Sequence, residues 1–188
     1  SVIPFVPILP LFGALVLGLL GKRIYTKFGE NVTGVLGCSM PFISAIIAAT
    51  SFIAINRLDV TERIIRINLM NWVTVADLQL QWTFRYDPLS AVMLLIVTII
   101  GTLIHIYAMG YMKGDKSFWR FFSYLNLFLA AMLMLVLGDN LIIMFLGWEG
   151  VGLCSYLLIG FWFSEEANAV AGKKAFIVNR IGDLGFLA

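Results

Sequence analysis

Long apolar runs broken by short clusters of charge divide most of this chain, and they set its expected architecture. They predict helices at about residues 2–21, 32–55, 88–109, 121–137 and 140–161, and a sixth stretch at 174–188. Runs of this length with few charges match the thickness of a bilayer core. Pro4, Pro7 and Pro10 fall in the first turns of the first helix, where a missing amide costs least, and Pro41 is placed to kink the second. Lys22, Arg23 and Lys27 are expected in the first loop. The sixth stretch is too short to finish a crossing before Ala188, so the chain reads as incomplete.

The pattern changes in the segment 56–87. Leu78, Leu80, Trp82, Phe84 and Tyr86 alternate strictly with Gln79, Gln81, Thr83, Arg85 and Asp87, a period of two that predicts a half-buried strand. Ile65, Ile67 and Leu69 repeat the pattern more weakly, and together they predict a β-hairpin lying over the helices as a structural cover. The expected fold class is an all-α polytopic membrane protein. It has about six transmembrane helices, the last incomplete, and a short extramembrane hairpin in the outer-face loop 56–87.

Composition agrees. The chain is 61% hydrophobic and 13% charged, against about half and a quarter in soluble domains. A net charge of +2 gives no footprint for nucleic acid. The positive charge follows the first apolar run, whereas a secretory signal carries it before. Lys22, Arg23, Lys27, Lys113, Lys116, Arg120, Lys173 and Lys174 all fall on one predicted side. The other side has Arg57, Arg63, Arg66 and Arg85, balanced by acids. The positive-inside rule puts the first group in the cytoplasm or matrix and the N-terminus outside. Cys38 and Cys154 lie inside predicted spans and read as small apolar fillers. No dinucleotide fingerprint, P-loop, cysteine ligand set or nucleophile triad is present, which argues against redox chemistry on this chain.

Glu149 is the residue that asks for a function. It is the single carboxylate in the run 141–161, roughly 13 Å in from Asn140 and so near the middle of a core about 30 Å thick. An ionised acid at that depth usually lines an ion path or faces a paired charge. Gly147, Gly150 and Gly152 flank it and allow a neighbouring helix to come close. Asn179, Arg180 and Asp183 lie at spacings that place them on one helical face, with Asp183 about 13 Å in from Lys174. That matches the depth of Glu149 from the opposite direction, so a buried polar layer is expected. Mutual neutralisation of Arg180 and Asp183 is the plainer alternative. Lys173 and Lys174 either guide protons or anchor the helix at the headgroups, anchoring being the better reading for Lys173. His105, roughly 25 Å along its helix from Pro88, is either a proton relay or an interfacial histidine with a satisfied hydrogen bond. Tyr111, Trp119 and Trp162 fit an aromatic belt.

Several stretches carry a family resemblance: Asp87-Pro-Leu-Ser, His105-Ile-Tyr-Ala-Met-Gly-Tyr-Met, Arg120-Phe-Phe-Ser-Tyr-Leu-Asn, Gly147-Trp-Glu-Gly-Val-Gly-Leu-Cys-Ser-Tyr-Leu-Leu-Ile-Gly-Phe-Trp and Lys174-Ala-Phe-Ile-Val-Asn-Arg-Ile-Gly-Asp. The chain resembles the antiporter-like subunit L (subunit 5) family of proton-pumping NADH:quinone oxidoreductase, respiratory complex I. Multisubunit sodium/proton antiporters and membrane-bound hydrogenases are related. The resemblance implies the N-terminal part of one antiporter-like domain over residues 1–188, a membrane-arm subunit with other membrane-arm subunits and the bilayer as partners. It implies a bacterial inner (plasma) or mitochondrial inner membrane, and flavin, iron–sulfur clusters and quinone on other subunits rather than this one. Proton translocation is implied for Glu149, Lys174, Arg180 and Asp183, with His105 a candidate from its own chemistry. The family's lysine on a seventh helix, thought to pair with the acid at Glu149, falls beyond Ala188. A cation/proton antiporter subunit and an inert membrane scaffold are the competing readings.

Overall fold

A computed structural model describes residues 2–75 and 78–187. The chain order is α1 (Phe5–Asn56), a short 3-10 turn (Val60–Glu62), β1 (Ile65–Val75), β2 (Leu78–Tyr86), α2 (Pro88–Tyr111), α3 (Phe118–Leu137), α4 (Leu141–Ile159) and α5 (Glu166–Leu187). Ala188 lies outside the described residues.

The first two expected helices are joined into one element of 52 residues. Lys22, Arg23 and Lys27 do not form a loop; they continue the helix, as long unbranched side chains readily do. The break comes at Gly29, whose φ of 82° is a left-handed conformation that suits glycine. Unbroken, the helix would run about 78 Å, more than twice a bilayer core. Instead its two arms fold back on each other: Ser44 Oγ donates to Val6 O at 2.9 Å, and Gly13 faces Met40.

α3 packs against α1, α2 and α4, and two apolar clusters sit at its two ends. One gathers Leu129, Leu133 and Leu137 with Val6, Ala48, Leu94 and the hairpin's Phe84 and Tyr86. The other gathers Phe118 and Phe122 with Leu17, Ala108, Met112 and Phe161. Between them Asn126, fully buried, donates to Gly37 O and Phe122 O, both at 3.0 Å. The outward surface is also apolar. Ile96, Ile99, Leu103 and Ile106 are exposed along α2, as a lipid-facing helix requires. Among the described residues, α1 to α4 are each long and apolar enough to cross a membrane. α1 is divided into two arms by the break at Gly29.

The hairpin forms as the alternation predicts. β1 and β2 pair antiparallel, Ile65 opposite Tyr86 and Ile67 opposite Phe84. Phe84 and Tyr86 turn inward and are buried. The α3–α4 turn pins the hairpin to the bundle: Asp139 N donates to Thr83 O at 3.1 Å, Asn140 Nδ2 donates to Gln81 O at 2.9 Å, and Arg66 pairs with Asp139 at 3.3 Å. Asn140 Oδ1 also accepts from Ile143 N and so caps α4. Asp87 caps α2 in the same way, accepting from Ser90 N at 2.8 Å, with Arg85 3.1 Å away. Partial burial raises the Asp87 pKa, but the Ser90 hydrogen bonds and Arg85 outweigh it and hold the carboxyl below its ordinary value.

α5 departs from expectation at its start. It begins at Glu166, eight residues before 174, so Lys173 and Lys174 lie within the helix. Glu166 in the first turn suits the positive end of the helix dipole. α5 is not among the helices apolar enough to span, since it carries Glu166, Lys173, Lys174, Arg180 and Asp183.

Candidate functional site

Glu149 is the ninth of the 19 residues of α4, the middle of the helix. Its surroundings follow from the glycines beside it. A Cβ on Gly147 would stand 2.6 Å from Leu135 N, and one on Gly150 2.9 Å from Ala131 Cβ, so these two glycines let α3 approach closely. Gly152 faces the other way. A Cβ there would stand 3.3 Å from Arg180 Nη2, so its missing side chain makes room for a guanidinium.

Arg180 uses that room to reach two acids. Nη1 forms an ion pair with Glu149 Oε2, and Nε lies 3.2 Å from Asp183 Oδ2 one turn along α5. The second contact is a charge contact rather than an aligned hydrogen bond. Asp183 is the most enclosed of the three, its side chain 7% exposed against 22% for Glu149 and 36% for Arg180. Its other oxygen, Oδ1, accepts a 2.7 Å hydrogen bond from Trp148 Nε1. Adjacent residues of α4 thus grip both members of the α5 pair, Glu149 taking the arginine and Trp148 the aspartate. One cation is shared by two carboxylates, so a change in the charge of either acid alters the hold on the other.

The expected layer of Glu149, Arg180 and Asp183 is therefore assembled. Asn179 lines a cavity of about 320 Å³ with Arg180, Trp148, Gly152 and Ser155. Lys174 is not part of the cluster. It is exposed on α5, and six residues before Arg180 it sits about 120° round the helix. His105 is elsewhere too. It is buried between α2 and α3, 1% exposed, with Nδ1 donating to Gly101 O at 2.7 Å and Nε2 unpartnered among the described residues. Its own cavity, about 250 Å³ and apolar, shares Phe128 and Met132 with the Arg180 cavity. Those two α3 side chains wall one space from the other.

Sequence reasoning missed Trp148 and Asn126. Trp148 sits beside Glu149, but nothing in a linear pattern aims an indole at a residue 35 positions later. Asn126 carried a signal, an amide inside an apolar run, which is expensive unless bonded.

Residues 72–122 match the family model described as the N-terminus of NADH-ubiquinone oxidoreductase (complex I) chain 5, and residues 138–188 match the NADH:quinone oxidoreductase/Mrp antiporter transmembrane family. NADH-quinone oxidoreductase subunit L of Escherichia coli (strain K12) is 44% identical over 181 residues, covering 96% of this chain and 28% of that protein. The chain belongs to the subunit L/chain 5 family. Subunit L of Mycobacterium tuberculosis (strain ATCC 25618 / H37Rv) is likewise 44% identical, over 94% of this chain and 27% of that protein. NADH-ubiquinone oxidoreductase chain 5 of Hypocrea jecorina is 42% identical over 94% of this chain and 24% of its own length. The chain thus spans about a quarter of the length of these subunit L and chain 5 relatives. The structure of the Mrp complex from Dietzia sp. DQ12-45-1b shares the fold, with a TM-score of 0.78 at 22% identity over 100% of this chain and 19% of that one. Glu149, Arg180 and Asp183 fall in the segment matched to the NADH:quinone oxidoreductase/Mrp antiporter transmembrane family, and His105 in the chain 5 N-terminal segment.

Proposed function

We propose that this chain is the N-terminal part of an antiporter-like domain in a proton-translocating membrane-arm subunit of an NADH:quinone oxidoreductase. The observation that carries the reading is Arg180 shared between Glu149 and Asp183 at the middle of an apolar helix. In this reading Glu149 binds Arg180 while ionised. Protonation of Glu149 leaves the guanidinium to Asp183, which Trp148 holds in place. Charge movement in neighbouring membrane-arm subunits shifts that balance, and the rest of the subunit receives it. Lys174 shapes the entrance of the hydrated path, and His105 relays a proton when Phe128 and Met132 move apart. Flavin, iron–sulfur clusters and quinone belong to other subunits, and this chain carries no redox centre. The membrane is a bacterial inner or mitochondrial inner membrane, with the N-terminus on the periplasmic or intermembrane side and the lysine-rich ends opposite.

The test is NADH-driven proton uptake in inverted membrane vesicles, native full-length subunit against Glu149→Gln, with NADH oxidation and assembly measured alongside. Uptake falls several-fold in an assembled complex if Glu149 belongs to the coupling machinery. Unchanged uptake and oxidation in the variant would make Glu149 a bystander. A second reading, a subunit of a cation/proton antiporter, is favoured by the transmembrane family shared with Mrp antiporters. Native membranes with cation/proton exchange through this subunit but no NADH-linked uptake would establish it.

A further inference from the structure

Arg120 and Lys173 are cations without a carboxylate. Among the described residues neither lies within ion-pair distance of an acid, while the ion pairs that form involve Arg66, Arg85 and Arg180. The nearby Asp115 is already engaged, by Ser117 N at 2.6 Å and Trp162 Nε1 at 2.9 Å. Arg120 is held by other means. Its guanidinium lies over the Phe161 and Phe163 rings, 4.9 Å and 5.3 Å from their centroids, and Nη2 donates to Phe161 O at 3.4 Å beyond the end of α4. Its Nε is buried with no hydrogen-bond partner among the described residues. A guanidinium has five donors, and most of these are left to find an acceptor.

The acceptor has a place to sit. Arg120, Tyr124, Tyr156, Phe161, Phe163 and Lys173 line a cavity of about 180 Å³. Two cations and two tyrosines stand among its lining residues, and none of the lining residues is an acid. Its position matters as much as its chemistry. It lies where α3 begins, α4 ends and α5 runs through its first two turns, at the end of the bundle that also carries Lys113 and Lys116. In a membrane-crossing bundle that is headgroup level. Basic pockets between helices at that level attract anionic headgroups, and arginine matches phosphate oxygens in a planar fork.

We propose that this cavity binds a phosphate group, with Arg120 and Lys173 as its cationic contacts and Tyr124 and Tyr156 as hydroxyl donors. The chemistry is the same for a phospholipid headgroup and for free phosphate. It stands apart from the Glu149–Arg180–Asp183 cluster and does not depend on what that cluster does.

The experiment uses the full-length subunit in its purified complex, washed free of loosely held lipid. Native mass spectrometry counts the phosphatidylglycerol retained by wild type, Arg120→Gln and Lys173→Gln, with a phosphate-free glycolipid as control and inorganic phosphate titrated separately. Wild type is expected to retain one more phosphatidylglycerol than either variant, with affinity at least tenfold higher, and to show no such preference for the glycolipid. Variant-sensitive binding of inorganic phosphate without lipid retention would equally support the anion site and name free phosphate as its source. Equal binding by wild type and both variants, or equal retention of the glycolipid, would overturn the proposal. Lys173→Gln, at an exposed position, keeps the test open where Arg120→Gln fails to assemble.

Discussion

At the scale of single residues, the site depends on one indole and one missing methyl. Trp148→Phe keeps the ring and its stacking on Phe186 but removes the donor to Asp183 Oδ1. Hydrogen bonds to charged groups contribute about 1.5–3 kcal/mol. NADH-driven proton uptake is therefore expected to fall several-fold in Trp148→Phe with assembly intact, and unchanged uptake would remove Trp148 from the site. Gly152→Ala tests the same cluster from the other side. Its new Cβ would crowd Arg180 Nη2 at 3.3 Å, so the guanidinium must shift by a few tenths of an ångström, and uptake is expected to fall while the complex still assembles. Glu149 and the Arg180–Asp183 spacing were legible in the sequence, because an acid in an apolar run and a charge pair one turn apart are visible without coordinates. The role of Trp148 was not, and for Gly152 the sequence offered a close approach without saying that the Arg180 guanidinium makes it, since both arise from how α4 faces α5.

At the scale of elements, glycines and caps decide how the helices begin, bend and meet. Gly147→Ala would press a methyl to 2.6 Å from a backbone nitrogen of α3, an atom that cannot swing aside. Overpacking of this kind costs about 1–3 kcal/mol, and thermal denaturation of the full-length subunit is expected to show it. Gly182→Ala, with nothing within 4 Å of the added atom, should leave stability unchanged or slightly improved. Asp87→Ala removes the α2 cap, a loss of about 0.5–2 kcal/mol at neutral pH. The folded Asp87 pKa is depressed, so its stabilisation is complete above the ordinary aspartate value of about 4 and drains away as pH falls through the lower folded value. The stability gap between wild type and Asp87→Ala should close on that acid side and persist above it. The hairpin was legible through its strict alternation. The continuation of α1 through Lys22, Arg23 and Lys27 was not, because a charge cluster reads as a loop whether or not the helix passes through it.

At the scale of the whole molecule, the hairpin acts as a lid fastened to the α3–α4 turn. Its Arg66–Asp139 pair, with the arginine exposed to solvent, contributes little, while the buried Phe84 and Tyr86 join the core cluster that holds α1, α2 and α3 together. Phe84→Ala is expected to loosen the hairpin and speed its cleavage in limited proteolysis of the native complex. Arg66→Ala should leave the cleavage rate close to wild type.

The sequence by itself determined the class of molecule and the odd residue in it. Hydropathy sets which segments belong in lipid, period-two alternation sets the hairpin, and Glu149 stands out because hydrocarbon tolerates few charges. Both kinds of signal are local, and a linear pattern carries them in full. The tertiary structure decided the rest. It folded α1 back at Gly29 rather than at the lysines, gave Arg180 to two acids at once, left Lys174 on another face, and buried His105 away from the cluster. Those outcomes depend on which helix faces which and at what distance. Glycines set those distances, and which neighbour each of them admits is decided only when the helices pack.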